Sequence, residues 1–385
     1  MAPGDASFPG RNGEAAMQRR VFLAGVGAAL ASPGLVRAGT MSSSAGRLQV
    51  ETVATGLDEP WAVGFLPGGG VLVTQRAGEL IAIEGGRARR LGGVPEVFAA
   101  GQGGLLDLMI PRDFARSRTL FLSYAKPQDG RGGAGTALAR PVYADGAGQL
   151  TGLRDIFEMA PGSSGGRHFG SRIVEAPDGR LFLTIGDRGD RPSAQDLARH
   201  NGAVLRLNRD GSVPADNPFV GQPGARPEIW SYGHRNPQGA TLDARGRLWI
   251  TEHGARGGDE VNLVERGVNY GWPVISYGRH YSGLPIGEGT ARPGMAQPAH
   301  YWDPSIAPSG LAVHDGRLWP EWRGHLFAGS LKFDYIARLD PARGFAEERL
   351  EADETGRVRD VRQGPDGAIW FLSVTNGSLN RIVPG

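Results

Sequence analysis

The 385-residue sequence contains no cysteine, which removes disulfides, thiolate metal sites and cysteine nucleophiles together. Lysine is almost missing: Lys126 and Lys332 stand against 40 arginines, so arginine is the default cation. A retained lysine then marks a place where a compact, rotatable ammonium serves and a planar fork does not. Net charge is missing too once the N-terminal segment is set aside. Removing Arg11, Arg19, Arg20 and Arg37 with Asp5 and Glu14 from 42 basic and 40 acidic residues leaves 38 of each. A chain without a basic surface has no means of tracking phosphates, which excludes nucleic acid as a partner. The apolar run Val21 to Ala31 is too short for a comfortable membrane span, so stable membrane insertion is not expected.

The N-terminus gives a compartment. Met17 to Ala38 reads MQRRVFLAGVGAALASPGLVRA, with paired arginines, an apolar run, a Pro-Gly break and a small-residue cleavage site. This is the pattern of a twin-arginine-type signal peptide, which implies export to the periplasm. Met17 would begin that signal cleanly, so the true start is Met1 or Met17. Residues 1–40 are therefore expected to be extension and signal, and 41–385 the folded domain.

Glycine (62) and proline (27) are abundant without a collagen-like period, which points to frequent tight turns. A strand–turn–strand frame recurs six times. Its best copies are Gly170 to Asp187 (GSRIVEAPDGRLFLTIGD) and Arg359 to Val374 (RDVRQGPDGAIWFLSV). The others run Glu59 to Ile83, Gly103 to Ala125, Asn236 to Gly254 and Pro308 to Leu331. Short apolar strands between Gly, Pro, Asp and Asn, with no long amphipathic helix, read as all-β. Irregular spacing of roughly 45 to 70 residues suits four-stranded blades with inserted loops. The prediction is a six-bladed β-propeller of four-stranded antiparallel blades, a pair of β-sandwiches being the structural alternative. Inserted loops are expected at Gln128 to Met159, Asn208 to Arg226, Ile275 to Pro298 and Phe345 to Arg357, as walls of a site.

Polar chemistry concentrates in Pro227 to Pro273, which carries His234, Arg235, Asn236, His253, Asp259, Glu260 and Tyr270 around glycine-dense turns. Outside it, His168 precedes one blade's first strand and Asp187 closes the next. An imidazole there can accept a proton at neutral pH, and a carboxylate beside it would hold its tautomer. Turn chemistry and surface solvation account for the same two residues equally well. Arg357 and Arg359, two apart, would share one face if extended, and with Lys332 would suit a polyanionic ligand or a solvated face. Gly254 and Ala255 lie on a turn whose carbonyls are free of ladder pairing. Oxygen donors without cysteine favour a hard cation such as Ca²⁺.

The motifs GQGGLLD (101 to 107), HFGSRIV (168 to 174), IGDRG (185 to 189), GHRNPQG (233 to 239), EHGARGGDEVN (252 to 262) and GVNYGWP (267 to 273) together resemble the soluble pyrroloquinoline quinone (PQQ) dependent sugar dehydrogenases. The aldose sugar dehydrogenase branch is the closer match, in order over nearly the whole mature chain. The resemblance implies oxidation of aldose sugars at C1 to lactones, with electrons passed to an external acceptor. It makes His168 the base, oriented by Asp187, and puts Arg235 and Asn236 at the quinone's reactive edge. Gln102, Lys332, Arg357 and Arg359 would bind the cofactor's carboxylates and ring oxygens. The carbonyls of Gly254 and Ala255 would hold the Ca²⁺ that polarises the quinone, and Glu260 and Tyr270 match a second, structural calcium site. His234 and His253 become structural residues.

Ala255 stands where the glucose enzymes have proline, which a carbonyl ligand tolerates. Shorter loops than in the glucose-specific enzymes favour a broad aldose range and a monomer over a dimer. Two other readings compete: a calcium-dependent lactonase on a six-bladed propeller, which needs a Glu/Asn/Asp set at the channel, and a non-catalytic sugar- or protein-binding propeller.

Overall fold

Runs such as Val71–Gln75 (VLVTQ), Leu181–Ile185 (LFLTI), Leu248–Glu252 (LWITE), Leu326–Ser330 (LFAGS) and Ile369–Ser373 (IWFLS) are buried at every position. A strand buried on both faces must lie between two other layers, so these runs call for sheets stacked on sheets. The computed structural model describes residues 38–128 and 133–385, and it meets that demand with a ring. The twin-arginine pair, the apolar run and the first half of the Gly-rich segment at 130–135 lie outside the described residues.

The architecture is a six-bladed β-propeller. Blade 1 is built from Pro60–Phe65, Val71–Gln75, Glu79–Glu84 and Arg87–Leu91. Blade 2 uses Leu105–Met109, Phe121–Gln128, Gly133–Ala139 and Asp155–Glu158. Blade 3 uses Ile173–Glu175, Leu181–Ile185, Ala203–Leu207 and Ile229–Tyr232, and blade 4 Pro237–Leu242, Leu248–Glu252, Asp259–Val264 and His300–Trp302. Blade 5 uses Pro308–Val313, Leu326–Ser330, Ile336–Asp340 and Ala346–Leu350. Blade 6 joins the chain ends: Val358–Gln363, Ile369–Ser373 and Ser378–Pro384 pair on to Gly46–Ala54, and Ala38–Ser43 adds a fifth strand. The innermost strands pack each against the next in a closed ring.

The core is divided in the same way. One apolar cluster fills each blade interface, for example Met109, Phe121 and Leu138 of blade 2 against Leu181, Leu183 and Ile185 of blade 3. Another sets Val63, Val73 and Ile81 of blade 1 against Trp370, Leu372 and Leu379 of blade 6, which closes the circle. Among the described residues the one α-helix is the turn Phe114–Ser117 and the longest 3₁₀ turn is Arg191–Gln195, and no helix there is long and apolar enough to cross a membrane.

Two of the four segments expected as inserted loops are partly sheet. Gln128 to Met159 contains the outer two strands of blade 2, and Phe345 to Arg357 contains the outermost strand of blade 5. Outer strands face solvent and carry sequences such as AEERL, so they lack the apolar runs that mark inner strands. Asn208 to Arg226 and Ile275 to Pro298 do lie between strands of one blade.

Candidate functional site

In an antiparallel blade the start of the first strand and the end of the second lie at the same edge. That edge collects the chemistry. His168 lies ahead of blade 3's first strand and Asp187 follows its second, and their side chains meet: His168 Nδ1 lies 2.6 Å from Asp187 Oδ1. The Trp272 indole N–H donates to Asp187 Oδ2 at 2.8 Å, and the Gly189 N–H to Oδ1 at 2.7 Å. Burial pushes the Asp187 carboxyl up, but the hydrogen bonds from His168, Gly189 and Trp272 outweigh it and hold the carboxyl below its ordinary range. His168 is itself held below the usual histidine range, by burial first and then by the charges of Arg235 and Arg167 working against Asp187. The imidazole is thus neutral at pH 7, with Nδ1–H fixed by the carboxylate and Nε2 left as the acceptor. Its backbone adopts φ +55° and its N–H donates to Gln102 Oε1 at 2.7 Å.

Beside this pair a cavity of about 530 Å³ opens at the ring's centre. Gln102, Asn236, Lys332, Arg357 and Arg359 all line it, brought together from blades 2, 4, 5 and 6. Arg76 lines it too, paired with Glu59 at 2.5 Å, whereas Lys332, Arg357 and Arg359 make no ion pair among the described residues. Burial and the neighbouring charges of Arg357, Arg172 and Arg76 bring Arg359 down to about 9. Arg357 and Arg359 reach the cavity by a route other than a shared extended face. Arg357 is in the left-handed region (φ +43°) with its N–H on Asp334 Oδ1, and the strand begins at Val358.

Blade 4 supplies the next sector. Arg235 N–H donates to Glu252 Oε2 at 2.7 Å, its Nη1 donates to the His253 carbonyl at 3.0 Å, and its buried Nε has no partner. Asn236 Oδ1 accepts from Gly170 N–H and from Gln238 at 3.2 Å each, and Gln238 in turn receives Arg359. His234 is fully buried between Ser231 Oγ and Glu252 Oε1, stacked on Tyr270 at 4.6 Å. That places it beneath the site. His253 instead lines the cavity, its Nε2 hydrogen-bonded to the Pro308 carbonyl at 2.8 Å.

The Gly254–Ala255 turn follows blade 4's second strand. Gly254 N–H donates to Asp259 Oδ1 at 2.8 Å, and the Gly254 carbonyl accepts no hydrogen bond among the described residues. Glu260 lies across the ladder from Glu252, and burial together with that second carboxylate pushes it up to about 8. Tyr270 does not meet Glu260 directly. Its hydroxyl donates to the Leu263 carbonyl and accepts from Glu265 N–H, which leaves its own carbonyl as the oxygen free for a cation. No group of three or more His, Asp or Glu side chains is arranged to hold a metal among the described residues, so a cation here would need carbonyls beside any carboxylate.

Sequence reasoning did not find Trp272, Glu252, Gln238 or Arg76. Trp272 is 85 residues from the carboxylate that it touches, and only the fold joins them.

The chain matches the family described as Glucose / Sorbosone dehydrogenase over residues 57–381. It is 42% identical over 346 residues to the aldose sugar dehydrogenase YliI of Escherichia coli strain K12, covering 88% of this chain and 93% of that one. The crystal structure of the soluble E. coli aldose sugar dehydrogenase in its apo form superposes with a TM-score of 0.83 at 41% identity, covering 88% of this chain and all of that one. The PQQ-bound aldose sugar dehydrogenase of Streptomyces coelicolor superposes with a TM-score of 0.73 at 28% identity, covering 87% and 98%. A propeller with a cation-lined axial cavity beside a buried histidine–carboxylate pair, matched to this family along most of its length, belongs to the glucose/sorbosone dehydrogenase family.

Proposed function

We propose that the protein oxidises aldose sugars at C1 to lactones with PQQ as the resident acceptor and Ca²⁺ beside it, passing electrons to an external acceptor. The observation that carries this reading is the cavity's charge. Among the described residues Lys332, Arg357 and Arg359 are uncompensated, Arg235 Nε is an orphaned buried donor, and one paired carboxylate, Glu59, is the only acid on the wall. Lys332 and Arg357 are exposed, Arg359 is half-buried and Arg235 is buried, so an occupant with several carboxylates would meet positive charge from all four and relieve the cost of the buried part. Gln102, Asn236, Lys332, Arg357 and Arg359 would hold it, with Arg235 as an added cation. The free Gly254 carbonyl, with that of Ala255, suits a hard cation, and the Glu252–Glu260 pair with the Tyr270 carbonyl suits a second.

When bound, the quinone supplies the two-electron acceptor for the hydride leaving C1. The chain's own part is the proton: neutral His168 takes it from the anomeric hydroxyl at Nε2, and Asp187 stabilises the imidazolium that forms. Arg235 contributes positive charge where negative charge develops. The N-terminal segment would deliver the enzyme to the periplasm, where it would act as a monomer on a broad range of aldoses. A lactonase needs a metal-centred acidic set at the channel, and none forms among the described residues.

The test is an absorbance titration of the purified protein with PQQ and Ca²⁺, followed by glucose. Bleaching to the reduced form is expected, and inertness with both present overturns the reading. The His168→Gln variant should bind PQQ with the same spectrum yet turn over about 10² to 10⁴-fold more slowly.

A further inference from the structure

A second, open pocket lies beside the segment that leads into His168, the proposed base. The Gly166 carbonyl, on that segment, accepts from Gln102 N–H at 2.8 Å. Arg167, on its wall, immediately precedes His168, so their Cα atoms are about 3.8 Å apart. The Arg167 guanidinium lies across Gly189, where an added Cβ would come within 2.6 Å of Arg167 Nε. Exposed and without an ion pair among the described residues, Arg167 is free to meet a ligand.

Two buried groups in the pocket lack partners. Asn201 is 4% exposed, its Nδ2 donates to the Asp187 carbonyl at 3.1 Å, and its Oδ1 has none. Arg188 is 2% exposed; its two terminal nitrogens are committed to the carbonyls of Arg167, Gly165 and Ala134, and its Nε has no partner. The carboxylates nearby are spoken for. Arg199 pairs with Asp190 at 3.8 Å and Asp196 at 3.3 Å, Asp190 also accepts from Ser193, and Asp187 holds His168. Burial brings Arg188 down to about 9, with the Asp187 carboxylate working in the opposite direction.

We infer that this pocket is a specificity site for aldoses that carry an anionic group, phosphate or carboxylate, at the end remote from C1. The anion would meet Arg167 over the Arg188 floor, and a hydroxyl of the ligand would donate to Asn201 Oδ1. The inference rests on the dehydrogenase reading for the orientation of the sugar.

The test compares glucose, glucose 6-phosphate and glucuronate as substrates of the PQQ- and Ca²⁺-loaded enzyme, the two acids distinguishing phosphate from carboxylate. One acid should exceed glucose in kcat/KM by on the order of tenfold, with the advantage falling as salt is added. Arg167→Gln should lower the acid-to-glucose ratio about tenfold and Arg167→Lys restore part of it. Turnover of glucose with neither acid preferred, or a ratio unmoved by Arg167→Gln, overturns the inference while leaving the dehydrogenase reading intact. If no sugar is oxidised, that reading fails, and calorimetry of glucose 6-phosphate and glucuronate with the quinone-free protein decides the pocket. Binding lost in Arg167→Gln supports it, and absence of binding by both overturns it.

Discussion

At the scale of single residues, the proposed proton transfer depends on keeping one imidazole, His168, neutral in the right tautomer. Burial and the charges of Arg235 and Arg167 lower the His168 pKa, and Asp187 works in the opposite direction. On the proposed mechanism the group acts deprotonated, so kcat/KM should hold level as pH falls to the ordinary histidine value of about 6.5 and decline only below it. Replacing Asp187 by Asn removes the raising influence, so the acid limb of the profile should move to still lower pH. The plateau should meanwhile drop by about 10²-fold or more, because the tautomer is no longer held. A limb that stayed in place would count against the pairing. The His168–Asp187 pairing was readable in the sequence because both residues sit at strand ends of one frame. Trp272, the donor to the second carboxylate oxygen, was not, since no local pattern links an indole to a carboxylate a blade away. Arg357 was found for a reason that the backbone does not support. Its positive φ replaces the extended pair that the spacing suggested.

At the scale of elements, the turn after blade 3's second strand must pass very close to His168, the proposed base. Gly186 lies where a Cβ would be 2.2 Å from the His168 carbonyl oxygen and 3.0 Å from Asn236 Oδ1. Only glycine permits that approach, so Gly186→Ala should cost about 2 kcal/mol by denaturant midpoint, from forced backbone movement. Turnover should fall further than stability alone explains, because the displaced atoms belong to the base and to the cavity wall. Unchanged kcat in a folded variant would contradict the geometry. The first two strands of every blade were legible, because burial on both faces writes a continuous apolar run and the PDG-type turns mark its start. Outer strands such as Arg87–Leu91 (RARRL) and Ala346–Leu350 (AEERL) were not, because solvent on their edge removes the constraint that would have shaped their sequence.

At the scale of the molecule, a propeller must close its ring and fill its centre. Closure pairs Gly46–Ala54 with Ser378–Pro384, segments about 330 residues apart, and no local signal in either announces the other. The centre is filled below the cavity by ions. Asp107 of blade 2 accepts from Arg172 Nη1 at 3.0 Å, from Arg362 of blade 6 and from Ile173 N–H at 2.7 Å. Asp360 of blade 6 meets the same two arginines, Arg172 at 3.0 Å and Arg362 at 2.9 Å. Arg172 also lies 4.4 Å from the ring centre of Trp61, on the cavity wall, so the network ties three blades to the site's floor. An ion network of this kind adds little over well-packed apolar residues, but removing one member leaves its buried partners, Arg172 above all, short of a counter-charge. Asp107→Ala should therefore cost about 3 to 5 kcal/mol, leaving Arg172 and Arg362 short of charge and the Ile173 N–H unpaired. Replacing Asp107, Arg172, Asp360 and Arg362 together by apolar residues of similar volume should cost less than that single change. If the single substitution proved the milder of the two in equilibrium unfolding, the network would be a net source of stability, and the balance between desolvation and pairing argued here would be reversed.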